Sequence, residues 1–222
     1  MNIEYILPLV TFWHSISSQI AKYNSPEITN NAVSLIHCLS YIAHYHYDYN
    51  LNYAVHISIG FYIYDLFFIM QRAYHQDSSK RKDEFKKHFP FIIHHIAGSY
   101  LLYSALTDKG GDSILGAFLI LEKSNIMIYV SYYLHKQRAE YVRLCAVSEC
   151  AQLITYTYYR LFALSVFIYE HSIPFFNYPF ITQSLIILVY LMGYAWSYRL
   201  LKKNVRNFYR VAARSKKYSS EG

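Results

Sequence analysis

Residues 89–107 read FPFIIHHIAGSYLLYSALT, a run with no Lys, Arg, Asp or Glu that holds the adjacent pair His94 and His95. A helix of this length and apolarity crosses a hydrocarbon core of about 30 Å. Polar groups at such depth are expensive and must face one another. Helical spacing says how: His88, His95, Ser99 and Tyr103 step by seven or four and share one face.

The same pattern recurs outward along the chain. Ser34, His37, Tyr41, His44 and Asp48 line one face of the preceding apolar segment but one, and Ser58, Tyr62, Asp65 and Arg72 line the next. Downstream, Glu122, Asn125, Tyr129 and Tyr132 form a stripe, as do Glu149, Gln152, Tyr156 and Tyr159, and then Gln183, Tyr190, Tyr194 and Ser197. Six inward stripes predict a ring of helices around a polar interior.

Composition agrees, since 54% hydrophobic and only 16% charged residues over 222 positions departs from an ordinary soluble domain. Mean hydropathy is only +0.09 because 26 tyrosines score as polar while their rings suit membrane interfaces. About seven spans are expected, near 3–20, 31–47, 53–71, 89–107, 113–135, 149–170 and 180–198. The first is the weakest, with His14, Ser15, Ser17, Ser18 and Gln19 crowding its second half, and it competes with an interfacial placement. It lacks a signal peptide's basic start and cleavage site, so it is expected in the mature protein.

Basic residues then set the orientation. Arg72, Lys80, Arg81, Lys82, Lys86 and Lys87 fall in one connection, Lys136, Arg138 and Arg143 in another, and Arg199, Lys202, Lys203, Arg206, Arg210, Arg214, Lys216 and Lys217 at the end. The alternate connections carry only Lys109, which predicts a lumenal N-terminus and a cytosolic C-terminus. The net charge of +7 follows from these cytosolic segments, and no nucleic-acid motif competes for it, so no nucleic-acid partner is expected. Cys38, Cys145 and Cys150 show no paired spacing. A G-protein-coupled receptor is disfavoured by the absence of Asp-Arg-Tyr after the third span and of Asn-Pro in the seventh.

Counting from the cytosolic ends at 1.5 Å per residue places His37, Asp65, His94 and His95 in one layer about 8 to 10 Å deep. Imidazole and carboxylate together suit acid–base or nucleophilic work. An alternative of equal weight pairs His37 with Asp65 as a buried interhelical contact. Adjacent histidines diverge by about 100°, so only one of the pair sits centrally. Glu122 and Arg160 lie near mid-span, where two readings stay open: an ion pair locking two helices, or groups facing a substrate. Eleven histidines raise di-iron chemistry, but the clustered ligand boxes it needs are missing, so neither metal nor cofactor is expected.

Four motifs in order carry a resemblance. NAVSLIH (31–37), SIGFYIYDLFFI (58–69) with its Tyr-x-x-Asp, FIIHHIAGSYLLY (91–103) and LILEKSN (119–125) resemble successive helices of the TLC domain family, the TRAM, LAG1 and CLN8 homology group. The spacing is most similar to the TLC domain-containing protein 4 subgroup. The resemblance implies a helical bundle in the endoplasmic reticulum or a related membrane, with lipid as the molecule handled.

The expected architecture is an all-α membrane protein: an N-terminal span (1–23), a TLC domain (24–205) of six helices around a polar cavity, and a basic cytosolic tail (206–222). The ceramide synthase branch would make His94 and His95 catalytic in N-acylation of a sphingoid base by acyl-CoA, assisted by Asp65 and Glu122. Its His-Asp and further Asp correspond here to Leu121-Glu122 and Asn125, so the two-carboxylate relay is not reproduced. His37, Asn125, Tyr62, Tyr129 and Arg160 complete the expected site as substrate-binding groups. Two functions stand: a cavity that binds a membrane lipid without chemistry, and an acyltransferase drawing acyl-CoA to the basic face at Lys80–Lys87.

Overall fold

The computed structural model describes residues 3–47, 51–75, 78–107, 111–136 and 142–220, and among these no residue is in a β-strand. The helices are α1 (Ile3–Ala21), α2 (Pro26–Tyr47), α3 (Asn52–Tyr74), α4 (Ser78–Thr107), α5 (Gly111–Lys136) and α6 (Val142–Thr157). A π-helical turn (Tyr158–Ala163) then runs directly into α7 (Leu164–Glu170), followed by α8 (Ser172–Asn177) and α9 (Phe180–Ser220).

Local chemistry sets several boundaries. The Ser25 hydroxyl accepts the Ile28 N–H at 3.4 Å, Pro26 opens α2, and Glu27 occupies its first turn, each suited to a helix N-terminus. α4 starts eleven residues before the expected span, in the basic stretch SSKRKDEFKKH, and passes through Pro90, which cannot donate to the Lys86 carbonyl. α9 continues far past residue 198, because nothing from Tyr198 to Ser220 is a glycine or proline and Leu, Lys, Arg and Ala abound there. The expected basic tail (206–222) is therefore helical as far as Ser220, and the expected sixth span is two α-helices joined by a π turn.

Three helical stretches are long and apolar enough to cross a membrane among the described residues: Asn52–Tyr74, Gly111–Lys136 and Phe180–Arg206. Their outward faces present Phe67, Met70, Ile181, Ile187 and Leu191, the surface a lipid environment covers.

α3 lies inside, packed against α1, α2 and α4. Gly60 lets α1 approach so closely that a Cβ there would stand 2.7 Å from Leu9 Cβ. Trp13 of α1 is fully buried, and its Nε1–H donates to the Ile57 carbonyl at 3.0 Å. α2 is tied to α5 by three bonds onto main-chain carbonyls: Asn31 to Tyr129 at 2.8 Å, Cys38 to Glu122 at 2.8 Å and Tyr41 to Leu115 at 2.9 Å. Side chain to carbonyl contacts of this kind join membrane helices where apolar packing alone gives little preference over lipid. Tyr103 departs from its predicted inward stripe and is 38% exposed. Asp48, Lys109 and Arg138, on which the stripe and loop readings also drew, lie outside the described residues.

Candidate functional site

A cavity of about 400 Å³ lies within the bundle. Asn30, Ser34 and His37 enter it from α2, Phe61, Tyr62 and Asp65 from α3, Phe91, His94 and His95 from α4. Glu122, Asn125, Ile128 and Tyr129 come from α5, Gln152 and Tyr156 from α6, Arg160 from the π turn, and Trp196, Arg199, Leu200 and Lys203 from α9. All nine side chains singled out in the sequence therefore line one space.

The histidine pair divides as its 100° separation requires. His95, buried, meets Asp65 Oδ2 through Nε2 at 2.8 Å, while His94 turns aside to lie edge-on to Trp196 at 5.5 Å between ring centroids. In the neutral His95 ring that bond holds the proton on Nε2 and leaves the Nδ1 lone pair without a partner among the described residues. Asp65 Oδ1 and His94 Nδ1 are also unpartnered there. Asp65 thus pairs with His95, which rules out the alternative that set His37 against Asp65. His37 is held instead by Ser58 Oγ at 2.9 Å and stacks on Phe61 at 4.1 Å, so its ring is fixed by packing.

Tyr62 connects this pair to the acidic side. Its ring stacks on His95 at 5.0 Å, and its hydroxyl donates to Glu122 Oε1 at 3.1 Å. Gly98 makes room for that ring, since a Cβ there would meet it at 2.9 Å. Asn125 Nδ2 donates to Glu122 Oε2 at 3.5 Å, and Asn125 Oδ1 accepts from Arg160 Nη2 at 3.1 Å. Of the two readings open for Glu122 and Arg160, the ion pair is absent as a direct contact. The amide between the two charges donates to the carboxylate on one side and accepts from the guanidinium on the other, which an ionised carboxylate in its place could not do.

Arg160 is 2% exposed, donates from Nε to Ser124 Oγ at 2.8 Å, and sits 5.1 Å over the Tyr156 ring. Gly193 lies beside its stem, with a would-be Cβ 3.5 Å from Arg160 Cδ. Nη1 has no partner among the described residues. Tyr129 lines the wall between the α2 and α5 groups. Near the cavity's α9 side, Glu149 accepts from His135 at 2.5 Å and pairs with Lys203 at 3.3 Å, joining α5, α6 and α9.

Sequence reasoning missed Trp196, Arg199 and Lys203 as cavity residues. Their spacing of three and four from one another was visible, but the basic pair was read only as a marker of the cytosolic side. Phe61 and Phe91 were missed because an apolar wall residue looks like any core residue. Among the described residues no three His, Cys, Asp or Glu side chains converge as metal ligands do.

No curated protein and no solved structure matches the chain. The model of the TLC domain does, over residues 8–202, a span that takes in every cavity-lining residue except Lys203. Together with the apolar helices, this match makes the protein a membrane protein, and the chain belongs to the TLC domain family.

Proposed function

We propose that this protein handles a membrane lipid in lipid homeostasis, binding it with its headgroup in the polar cavity and its chains along the apolar helix faces. The observation that carries the reading is a 400 Å³ cavity with ionisable side chains on its wall inside a TLC-domain membrane protein. A space of this size admits a headgroup, and the surrounding helices offer apolar surface for the rest. Seven spans, a lumenal N-terminus, a cytosolic tail, residence in the endoplasmic reticulum and kinship with the TLC domain-containing protein 4 subgroup complete the proposal. The basic residues of alternate connections and the order of the four motifs support it.

A second reading is favoured by one contact, His95 to Asp65 at 2.8 Å. A carboxylate-oriented imidazole is the arrangement used to take a proton from a nucleophile. Here it would remove the proton from a sphingoid amine as it attacks the thioester carbonyl of acyl-CoA, with coenzyme A thiolate leaving.

The test is turnover of a labelled sphingoid base with a panel of acyl-CoAs, using membranes that contain wild type, His94→Ala or His95→Ala, alongside mass spectrometry of lipid retained by the purified protein. Retained lipid without product is expected. Product that disappears in the variants would replace lipid handling with acyl transfer, and neither product nor retained lipid would sink both readings.

A further inference from the structure

No carboxylate on the cavity wall meets its buried cation directly. Its two carboxylates are engaged, Asp65 with His95 and Glu122 with Tyr62 and Asn125. Arg160 is permanently charged and almost wholly buried, yet among the described residues it donates to a hydroxyl and an amide, both neutral. Its Nη1, with two N–H donors, has no partner among the described residues. A buried cation with no carboxylate in direct contact is costly, and the protein meets part of that cost by cation–π contact with Tyr156 and through Glu122, one amide away.

The same wall carries two more cations, Arg199 and Lys203, one helical turn apart on α9. Lys203 already shares Glu149, whereas Arg199 is exposed. With Lys203 partly satisfied by Glu149, a ligand still meets the Arg160 fork within and Arg199 beside it. A phosphate presents several acceptor oxygens and matches the planar guanidinium fork.

We propose that the cavity seats the phosphate of a lipid-like ligand, with Arg160 Nη1 as the inner donor and Arg199 and Lys203 as the outer cations. This rests on the lipid-handling reading and narrows it to a ligand class. The phosphate has two possible sources, a lipid phosphomonoester or the coenzyme A part of an acyl-CoA, and both share the chemistry that Arg160 recognises. Asp65 Oδ1 remains available to accept from a hydroxyl or amine elsewhere on the same molecule.

The experiment measures binding to purified full-length protein in nanodiscs of neutral lipid, comparing oleoyl lysophosphatidic acid, monooleoylglycerol, oleoyl-CoA, sphingosine and inorganic phosphate. Wild type should bind lysophosphatidic acid at least about tenfold tighter than monooleoylglycerol, the size of a charge-assisted hydrogen bond. Arg160→Gln should bring the two within about twofold, and Arg160→Lys should fall between, because it keeps the charge and loses the fork. The double variant Arg199→Gln/Lys203→Gln should weaken binding less, and more of its effect should vanish at high salt. Tight binding of oleoyl-CoA alone would assign the seat to an acyl donor's phosphates.

Equal affinity of wild type for lysophosphatidic acid and monooleoylglycerol, with oleoyl-CoA no tighter, overturns the phosphate seat whether or not any variant folds. So does a phosphate preference that survives in folded Arg160→Gln. If none of the lipids binds, the lipid-handling reading itself has failed.

Discussion

At the scale of single residues, three glycines grade the tightness of the bundle. Gly60 faces Leu9 Cβ at 2.7 Å from its missing Cβ, Gly98 faces the Tyr62 ring at 2.9 Å, and Gly193 faces Arg160 Cδ at 3.5 Å. Gly60→Ala should lower unfolding free energy by about 1–3 kcal/mol, because Leu9 Cβ is fixed to the α1 backbone and cannot yield alone. Gly98→Ala should cost less in stability but displace the Tyr62 hydroxyl from Glu122. Gly193→Ala, at ordinary contact distance, should leave stability unchanged or slightly raised. Thermal unfolding of the three variants in one detergent checks the order. Residue identities on the cavity wall were legible because periodicity places side chains on a face. Partners across the cavity were not legible, since spacing along one helix says nothing about the neighbour's rotation. That is why His95 rather than His37 holds Asp65, and why Asn125 intervenes between Glu122 and Arg160.

At the scale of elements, α2 and α3 are clamped near their basic ends by Arg72 and Glu27 at 2.8 Å, outside the expected spans. Main-chain hydrogen bonding at the start of α2 is the largest cause holding the Glu27 carboxyl below its ordinary value; burial opposes it, and Arg72 adds to it. A lowered folded-state pKa means stability that is present above the ordinary glutamate range and lost as pH falls through the folded value. Wild type should therefore lose stability more steeply than Glu27→Gln below the ordinary glutamate range, with the two curves parallel above it. The effect should be small, since Glu27 is 38% exposed and the pair is screened. Unfolding temperature against pH for both proteins is the measurement. Existence and order of the long helices were legible from apolar runs. The π turn was not, because nothing in YYRLFA differs in type from the α-helical residues on either side.

At the scale of the whole molecule, the alternation of basic and nearly bare connections predicts sidedness. An acceptor for glycosylation placed ahead of Met1 should be modified, and a tag after Gly222 should be digested when protease is added to sealed microsomes. An unmodified N-terminus with a digested tail would mean that α1 lies along the interface and does not cross. All-helical architecture, membrane character and family were legible because composition and motif order are properties of the whole chain; the lengths of α4 and α9 were not, since each carries its helix out of apolar sequence into basic sequence. That last feature turns α9 into a lever. From Phe180, next to the Asn177–Pro179 break, to Lys203 is about 35 Å of uninterrupted helix. A tilt of roughly 5° at the proximal end would carry Arg199 and Lys203 sideways by about 3 Å, the width of an atom, on that rise per residue. A change of a few degrees in the backbone torsions beside Pro179 would thus shift two of the cations on the cavity wall.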